Sequence, residues 1–191
     1  MNKHIKLIED LKSQGKGLMS IGQYMKVGYI LELYSPCNFL VFGLGEDAYI
    51  WEKLNTNGRT CFLEDDSEWI KMFNSSKLEI HEVNYNTKAE QHKEIGFDQE
   101  KLQMKLPSSI TNTTWDIIFV DGPLGHNPPR PYKGPGRMQS IFTAYNLLKK
   151  EGICIVDDMG RLIERTYADY FFGMDNLFDL VENKVGMYKK L

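Results

Sequence analysis

No run of the 191 residues holds the ~18–20 consecutive apolar side chains that a bilayer-spanning helix requires. Met1 to Gln14 is polar and charged, without the apolar core of a secretion signal. The expectation is a cytoplasmic protein with no membrane span. Cysteine is scarce: Cys37, Cys61 and Cys154 are odd in number and show no Cys-x-x-Cys spacing. Each falls in an apolar run that reads as a strand or its edge, so buried free thiols are expected rather than a disulfide framework. An excess of one charge is also missing. Lys plus Arg is 23 and Asp plus Glu is 26, for a net charge of -3. That balance argues against a general nucleic-acid binder, which needs clustered positive charge, and leaves local basic patches open. Repeats and low-complexity linkers are absent. With 42% hydrophobic and 26% charged residues, the composition is globular and the length suits one domain. One domain over 1–191 is expected, with N-terminal helices in 1–34 and an α/β core in 35–191.

Ile5, Leu7, Ile8 and Leu11 mark an amphipathic first helix, broken by Gly15 and Gly17, and a second helix covers about Ile21 to Tyr34. The pattern then changes to short apolar runs separated by helical segments. Strands are predicted at Asn38–Phe42, Arg59–Leu63, Leu78–Val83, Trp115–Val120 and Ile153–Val156. Helices are predicted after Gly45 (Ala48, Ile50, Trp51, Leu54), around Trp69, Ile70 and Phe73, over about Arg137 to Lys150, and over about Leu162 to Phe172. Residues 84–114 are polar and give no clear element. Two last strands, Phe178–Glu182 and Gly186–Lys190, have no helix between them and read as an antiparallel hairpin. A mostly parallel sheet with helices on both faces, closed by such a hairpin, is the shape of the class I methyltransferase (Rossmann-like) fold.

In an open parallel sheet, ligands bind beyond the carboxyl ends of the strands, and polar residues gather there in this chain. The first strand runs into Gly43-Leu44-Gly45-Glu46-Asp47, whose glycines permit a sharp turn and close approach of a ligand. The second ends at Glu64-Asp65-Asp66, and an acid at that place accepts hydrogen bonds from the ribose hydroxyls of an adenosine cofactor. Gly43-x-Gly45-x-x-Ala48 also satisfies a dinucleotide fingerprint, so an NAD-binding domain is a rival, and a tight turn with a helix-capping acid is a third reading. The fourth strand ends at Asp121-Gly122-Pro123 and the fifth at Asp157-Asp158. Asp121, Asp157 and Asp158 form an oxygen-ligand set suited to Mg²⁺ or a similar ion that lowers the pKa of a substrate hydroxyl. Caps and solvated strand ends are the alternative. His126, in the loop after Asp121, is the candidate general base. Its neighbours Arg130, Tyr132, Lys133 and Arg137 suit an anionic substrate such as a uronic acid, or simply make a solvated basic loop.

Ser35-Pro36-Cys37-Asn38-Phe39-Leu40-Val41-Phe42-Gly43-Leu44-Gly45, Asn57-Gly58-Arg59-Thr60, Phe62-Leu63-Glu64-Asp65-Asp66 and Trp69-Ile70 resemble the plant glucuronoxylan 4-O-methyltransferase family. Trp115-Asp116, Val120-Asp121, Pro123, Gly134-Pro135-Gly136-Arg137-Met138 and Val156-Asp157-Asp158 follow in the same order, and the resemblance spans residues 35–172. It implies S-adenosylmethionine as donor and a sugar or uronic acid hydroxyl of a glycan or glycoconjugate as acceptor. By position it carries Gly43, Gly45 and Glu64 into cofactor binding, and Asp121, Asp158 and Arg137 into the active-site rim. Glu46, Asp65, Asp121 and Gly122 join the expected cofactor set, and His126, Asp121 and Arg137 the catalytic one. The chain departs from the family in three ways. It is expected to be without the plant proteins' N-terminal membrane anchor, its loop from Asp121 to Gly136 carries an extra-looking Pro128-Pro129-Arg130-Pro131, and Asp157 stands where the plant pattern usually has His. The Asp157-Asp158 pair also resembles metal-dependent O-methyltransferases of the macrolide-sugar and catechol types, which implies Mg, Mn or Co. Two rival functions remain: methylation of a phenolic or other small-molecule hydroxyl, and a cofactor-binding module without catalysis.

Overall fold

The computed structural model describes residues 3–125 and 134–191. Its frame is a seven-stranded sheet of order β3-β2-β1-β4-β5-β7-β6. The strands are β1 (Asn38–Phe42), β2 (Arg59–Glu64), β3 (Glu79–Glu82), β4 (Trp115–Val120), β5 (Leu148–Val156), β6 (Leu177–Val181) and β7 (Val185–Lys189). β1 to β5 are parallel neighbours, while β7 runs antiparallel to both β5 and β6. That inserted antiparallel strand separates the sheet from the all-parallel dinucleotide-binding order.

The helices are α1 (Lys3–Ser13), α2 (Ile21–Tyr34), α3 (Ala48–Leu54), α4 (Ser67–Met72), the one-turn α5 (His92–Ile95), α6 (Gln99–Leu102) and α7 (Ser108–Thr111), then α8 (Met138–Leu147) and α9 (Leu162–Phe172). α2 starts with a reciprocal capping box between Ser20 and Gln23.

Period-two alternation divides each strand between two cores. Phe39, Val41, Phe62, Ile117, Phe119 and Ile155 pack under α1, α2 and α3. Leu40, Phe42, Leu63, Ile118, Val120 and Val156 face α8 and α9. Both faces of the central strands are therefore dry. Each fully buried large apolar side chain contributes roughly 1.5–3 kcal/mol, which is why these strands read as continuous apolar runs.

The fifth strand begins earlier than predicted. α8 stops at Leu147, and Leu148 is already extended (φ -69°, ψ 134°). Trp115 pairs with Leu148, whereas Ile117 pairs with Ile153, so Lys149-Lys150-Glu151 lies in a bulge with Glu151 at φ 63°. Lys149 and Lys150, with Gly152 two residues on, imitate the basic last turn and stop signal of a helix. Here Lys149 instead pairs with Asp116 of β4 at 2.5 Å. The C-terminal hairpin falls one residue earlier than predicted, with Glu182 and Asn183 of the turn at positive φ. All three cysteines are free and buried. Among the described residues, no helix is long and apolar enough to cross a membrane.

Candidate functional site at the strand tips

Parallel register brings the ends of four strands to one level. Phe42 pairs with Leu63 on one side and with Val120 on the other, and Val120 pairs with Val156. The ladder continues one residue further: Gly43 N donates to Leu63 O, Asp121 N to Phe42 O, and Asp157 N to Val120 O. Above these tips opens a cleft of about 810 Å³. β1, β2, β4 and β5 supply its floor, and the loop holding Gly15, Gly17 and Met19 supplies one wall.

The floor needs glycine at two places. Gly43 has φ 105° and its Cα faces the Gly122 backbone; a Cβ on Gly122 would lie 2.8 Å from Gly43 Cα. Backbone cannot yield as a flexible side chain can, so the tips of β1 and β4 touch only because neither residue carries a side chain. At Gly45 the space left by the missing side chain is filled by Asp47, whose Oδ1 lies 2.8 Å from where a Cβ would be.

Glu64, 6% exposed, closes the β2 side. Its Oε2 accepts from Leu44 N at 2.6 Å, and its Oε1 accepts from Asp65 N and Asp66 N at 2.9 and 2.8 Å. Burial raises its carboxyl above the ordinary value against these amide donors, which favour the charged form. Glu64 thus fastens the loop after β1 to the loop after β2. Asp65 and the exposed Glu46 line the same cleft, and Glu46 also accepts from Gly17 N at 3.4 Å.

On the β4–β5 side, carboxylates meet cations. Arg137, just before α8, has a buried guanidinium that donates to the carbonyls of Pro123, Asp157 and Asp121 at 3.2, 2.9 and 2.7 Å. Its Nη2 also pairs with Asp121 Oδ1 at 3.3 Å and Asp158 Oδ2 at 3.0 Å. Arg161 meets Asp158 at 2.8 Å, and Lys184 stands 3.8 Å from Asp157 and 3.9 Å from Asp158. Asp158 lies in the left-handed region (φ 62°), which Asp tolerates better than most residues. Burial, then the charge of Asp157, holds the Asp121 carboxyl well above the usual carboxylate range, with Arg137 opposing. Burial alone lowers the pKa of Arg137, but the surrounding carboxylates raise it, so the guanidinium stays charged.

The residues expected around a cofactor, Gly43, Gly45, Glu46, Glu64, Asp65, Asp121 and Gly122, all line this one cleft. Asp121, Asp157, Asp158 and Arg137 line it too. The three aspartates do not form the expected ligand set. Among the described residues, the one group whose ligand atoms lie within 4.8 Å of one another is Cys61, Glu79 and His81, at the sheet edge. Arg137 and Arg161 pair with Asp121 and Asp158, whereas the buried Asp157 Oδ1 has no hydrogen-bond partner and Lys184 stands 3.8 Å away. His126, Arg130, Tyr132 and Lys133 lie outside the described residues. Sequence reading missed Asp47 and Tyr24: the Tyr24 hydroxyl donates to Asp47 Oδ2 at 3.0 Å, and both line the cleft. A polar hydroxyl at a core position of the second helix was the available signal.

Comparison with known proteins follows the same outline. The model of the IRX15/IRX15L/GXM family matches residues 24–101 and 93–188. Among curated relatives from Arabidopsis thaliana, Glucuronoxylan 4-O-methyltransferase 1 is 38% identical over 165 residues, covering 74% of this chain and 57% of the relative. Arabinogalactan O-methyltransferase 1 is 35% identical, with 74% and 57% covered. Protein IRREGULAR XYLEM 15 is 34% identical, with 84% and 58% covered. The chain thus spans less than two thirds of these relatives' length. Two solved structures share the fold. A Staphylococcus aureus protein provisionally named a caffeoyl-CoA O-methyltransferase has a TM-score of 0.57 at 11% identity, covering 100% of this chain and 93% of its own. The T. thermophilus 16S rRNA N2 G1207 methyltransferase, solved with AdoMet and guanosine, has a TM-score of 0.58 at 14% identity, covering 92% and 44%. The fold is that of the class I methyltransferases.

Proposed function

The chain belongs to the IRX15/IRX15L/GXM family, and from that premise we propose that it transfers a methyl group from S-adenosylmethionine to a hydroxyl of a sugar or uronic acid in a glycan. One observation carries the reading. The segments matched by the family model hold every strand that builds the cleft, and two similar curated proteins are named as glycan O-methyltransferases.

The cleft suits such a donor. Glu64 stands at the tip of β2 with Asp65 beside it, and in this reading the lone pair left on Oε2 accepts from a ribose hydroxyl. Gly43, Gly45 and Gly122 keep the floor low enough for close approach, and Glu46 stands on the rim. S-adenosylmethionine, when bound, supplies a methyl group already activated on a sulfonium. What remains for the protein is to align the acceptor and remove its proton. Asp121 is the proton acceptor in this reading. It reaches the cleft with its side chain 33% exposed, and its raised pKa makes it a stronger base than an ordinary carboxylate. Arg137 holds Asp121 in place, while Arg161 and Lys184 line the same cleft beside Asp158 and Asp157.

The test is transfer of labelled methyl to xylan- and arabinogalactan-type glycans. Turnover is expected to rise with pH as Asp121 ionises through its raised pKa. Asp121→Asn should lose about 10²-fold or more of kcat. His126→Ala is expected to stay active. An inactive His126→Ala beside an active Asp121→Asn would transfer the base role to His126, and no transfer to any glycan despite donor binding would return the acceptor to the small-molecule class.

A further inference from the structure

The carboxylates of the cleft differ in what neutralises them. Asp158 pairs with Arg137 and Arg161, Asp121 pairs with Arg137, and Asp157 has Lys184 3.8 Å away. Glu64 spends both oxygens on backbone amides. Asp47 is 8% exposed, lines the cleft, and has no cationic partner among the described residues. Its contacts are instead built to aim it. The Tyr24 hydroxyl, on a side chain buried under α2, donates to Oδ2 at 3.0 Å, and the bare Gly45 makes room for Oδ1. Tyr24 also packs on Trp51, with ring centroids 5.7 Å apart, so the hydroxyl is held from behind.

An aimed, buried carboxylate with no counter-ion is costly to keep charged. Burial raises the Asp47 pKa, the Tyr24 hydrogen bond opposes, and Asp157 raises it further. A ligand that brings a cation relieves that cost on binding. Asp47 is the fifth residue of the Gly43-x-Gly45-x-x-Ala48 series after β1, immediately before α3. The amino-acid end of the donor carries such a cation, a primary ammonium with three N–H donors matched to a carboxylate.

We propose that Asp47, oriented by Tyr24, is the receptor for the α-ammonium of the donor's methionyl end. The assignment rests on the donor reading above. It makes the N-terminal helices, through Tyr24, part of the donor site rather than a cover for the sheet.

Truncated ligands separate this idea from its premise. S-adenosylhomocysteine keeps the ammonium and lacks the sulfonium, whereas 5′-methylthioadenosine lacks the whole amino-acid end. By titration calorimetry, Asp47→Asn should weaken S-adenosylmethionine and S-adenosylhomocysteine alike, by about tenfold or more, and leave 5′-methylthioadenosine within about twofold. Tyr24→Phe, which removes only the aiming hydroxyl, should show the same selectivity at a smaller loss, and it carries the test if Asp47→Asn does not fold. Unchanged S-adenosylhomocysteine binding, or an equal loss for 5′-methylthioadenosine, in either folded variant overturns the assignment. A wild-type protein that binds none of the three ligands overturns the donor reading, and the assignment with it.

Discussion

Glu64 shows how a residue legible from sequence acquires a second role in the fold. An acid at the end of the second strand is expected to face ribose, and Glu64 stands at that tip. What spacing did not reveal is that its two oxygens accept three backbone N–H groups, from Leu44, Asp65 and Asp66. Glu64→Gln replaces one acceptor oxygen by a donor NH₂ facing amide donors of its own kind. The expected result is a stability loss of about 1–3 kcal/mol, read from the urea midpoint, together with weaker donor binding. A variant with wild-type stability and weakened donor binding would leave Glu64 a ligand contact and deny it the loop-fastening role. The neighbouring glycines were legible as a pair of special positions. Their reason was not: Gly43 needs space because of Gly122, 79 positions away, and Gly45 needs it because of the side chain of Asp47. Local sequence carries the demand for glycine without the partner that causes it.

At the scale of elements, strands buried on both faces were easiest to read. β1 and β4 have the predicted bounds, since each carries an unbroken apolar run, Phe39–Phe42 and Ile117–Val120. Residues 84–114 gave no pattern because they fold into one-turn helices too short to show a period of 3.6. The edge strand β3 is similar: its four residues are fixed less by apolar burial than by one charge network. Arg59 of β2 grips Glu79 with Nε at 2.9 Å and Nη2 at 2.6 Å. It also donates to Ser109 O and Thr113 and lies over the Trp115 ring at 5.0 Å. His81 adds a contact to Glu79 Oε1 at 3.0 Å. The network holds Cys61, Glu79 and His81 together, with Arg59 neutralising Glu79. Hydrogen bonds from Arg59 lower the Glu79 pKa from 4.5 to about 2. Because the folded value is depressed, the stabilisation is present above pH 4.5 and is lost as pH falls towards 2. With Glu79 36% exposed, solvent screening limits the effect to about 1 kcal/mol or less. Urea midpoints measured from pH 5 to 2 should therefore fall less for Glu79→Gln than for wild type (on the order of 1 kcal/mol,). Parallel acid curves would remove this pair from the account.

Across the whole molecule, the two halves of the cleft come from different parts of the chain, and Arg137 joins the strands of the second half. Three acids at two strand ends invited a metal because strand spacing shows where carboxylates gather but not which cation meets them. Here the cation comes from the residue before α8, reached only after the loop that follows Asp121. Its guanidinium binds one carbonyl at the tip of β4, one in the next loop and one at the tip of β5, and it pairs with Asp121 and Asp158 as well. Arg137→Met strips all of these at once and leaves buried carboxylates facing each other with Arg161 and Lys184 at the rim. Breaking a buried ion pair from one side costs about 3–5 kcal/mol, a large share of the roughly 5–15 kcal/mol that holds a domain folded. Lysine should not rescue it, since a single ammonium cannot span three carbonyls in fixed directions as a planar guanidinium does. Urea unfolding followed by circular dichroism should place both Arg137→Met and Arg137→Lys well below wild type. Asp158→Asn, which removes one charge and keeps the shape, should unfold much closer to wild type, because Arg137 retains its carbonyls and Asp121. If Arg137→Met unfolds at the wild-type midpoint, the carboxylates are held apart by something other than this side chain, and a cation from solution becomes the first alternative to examine.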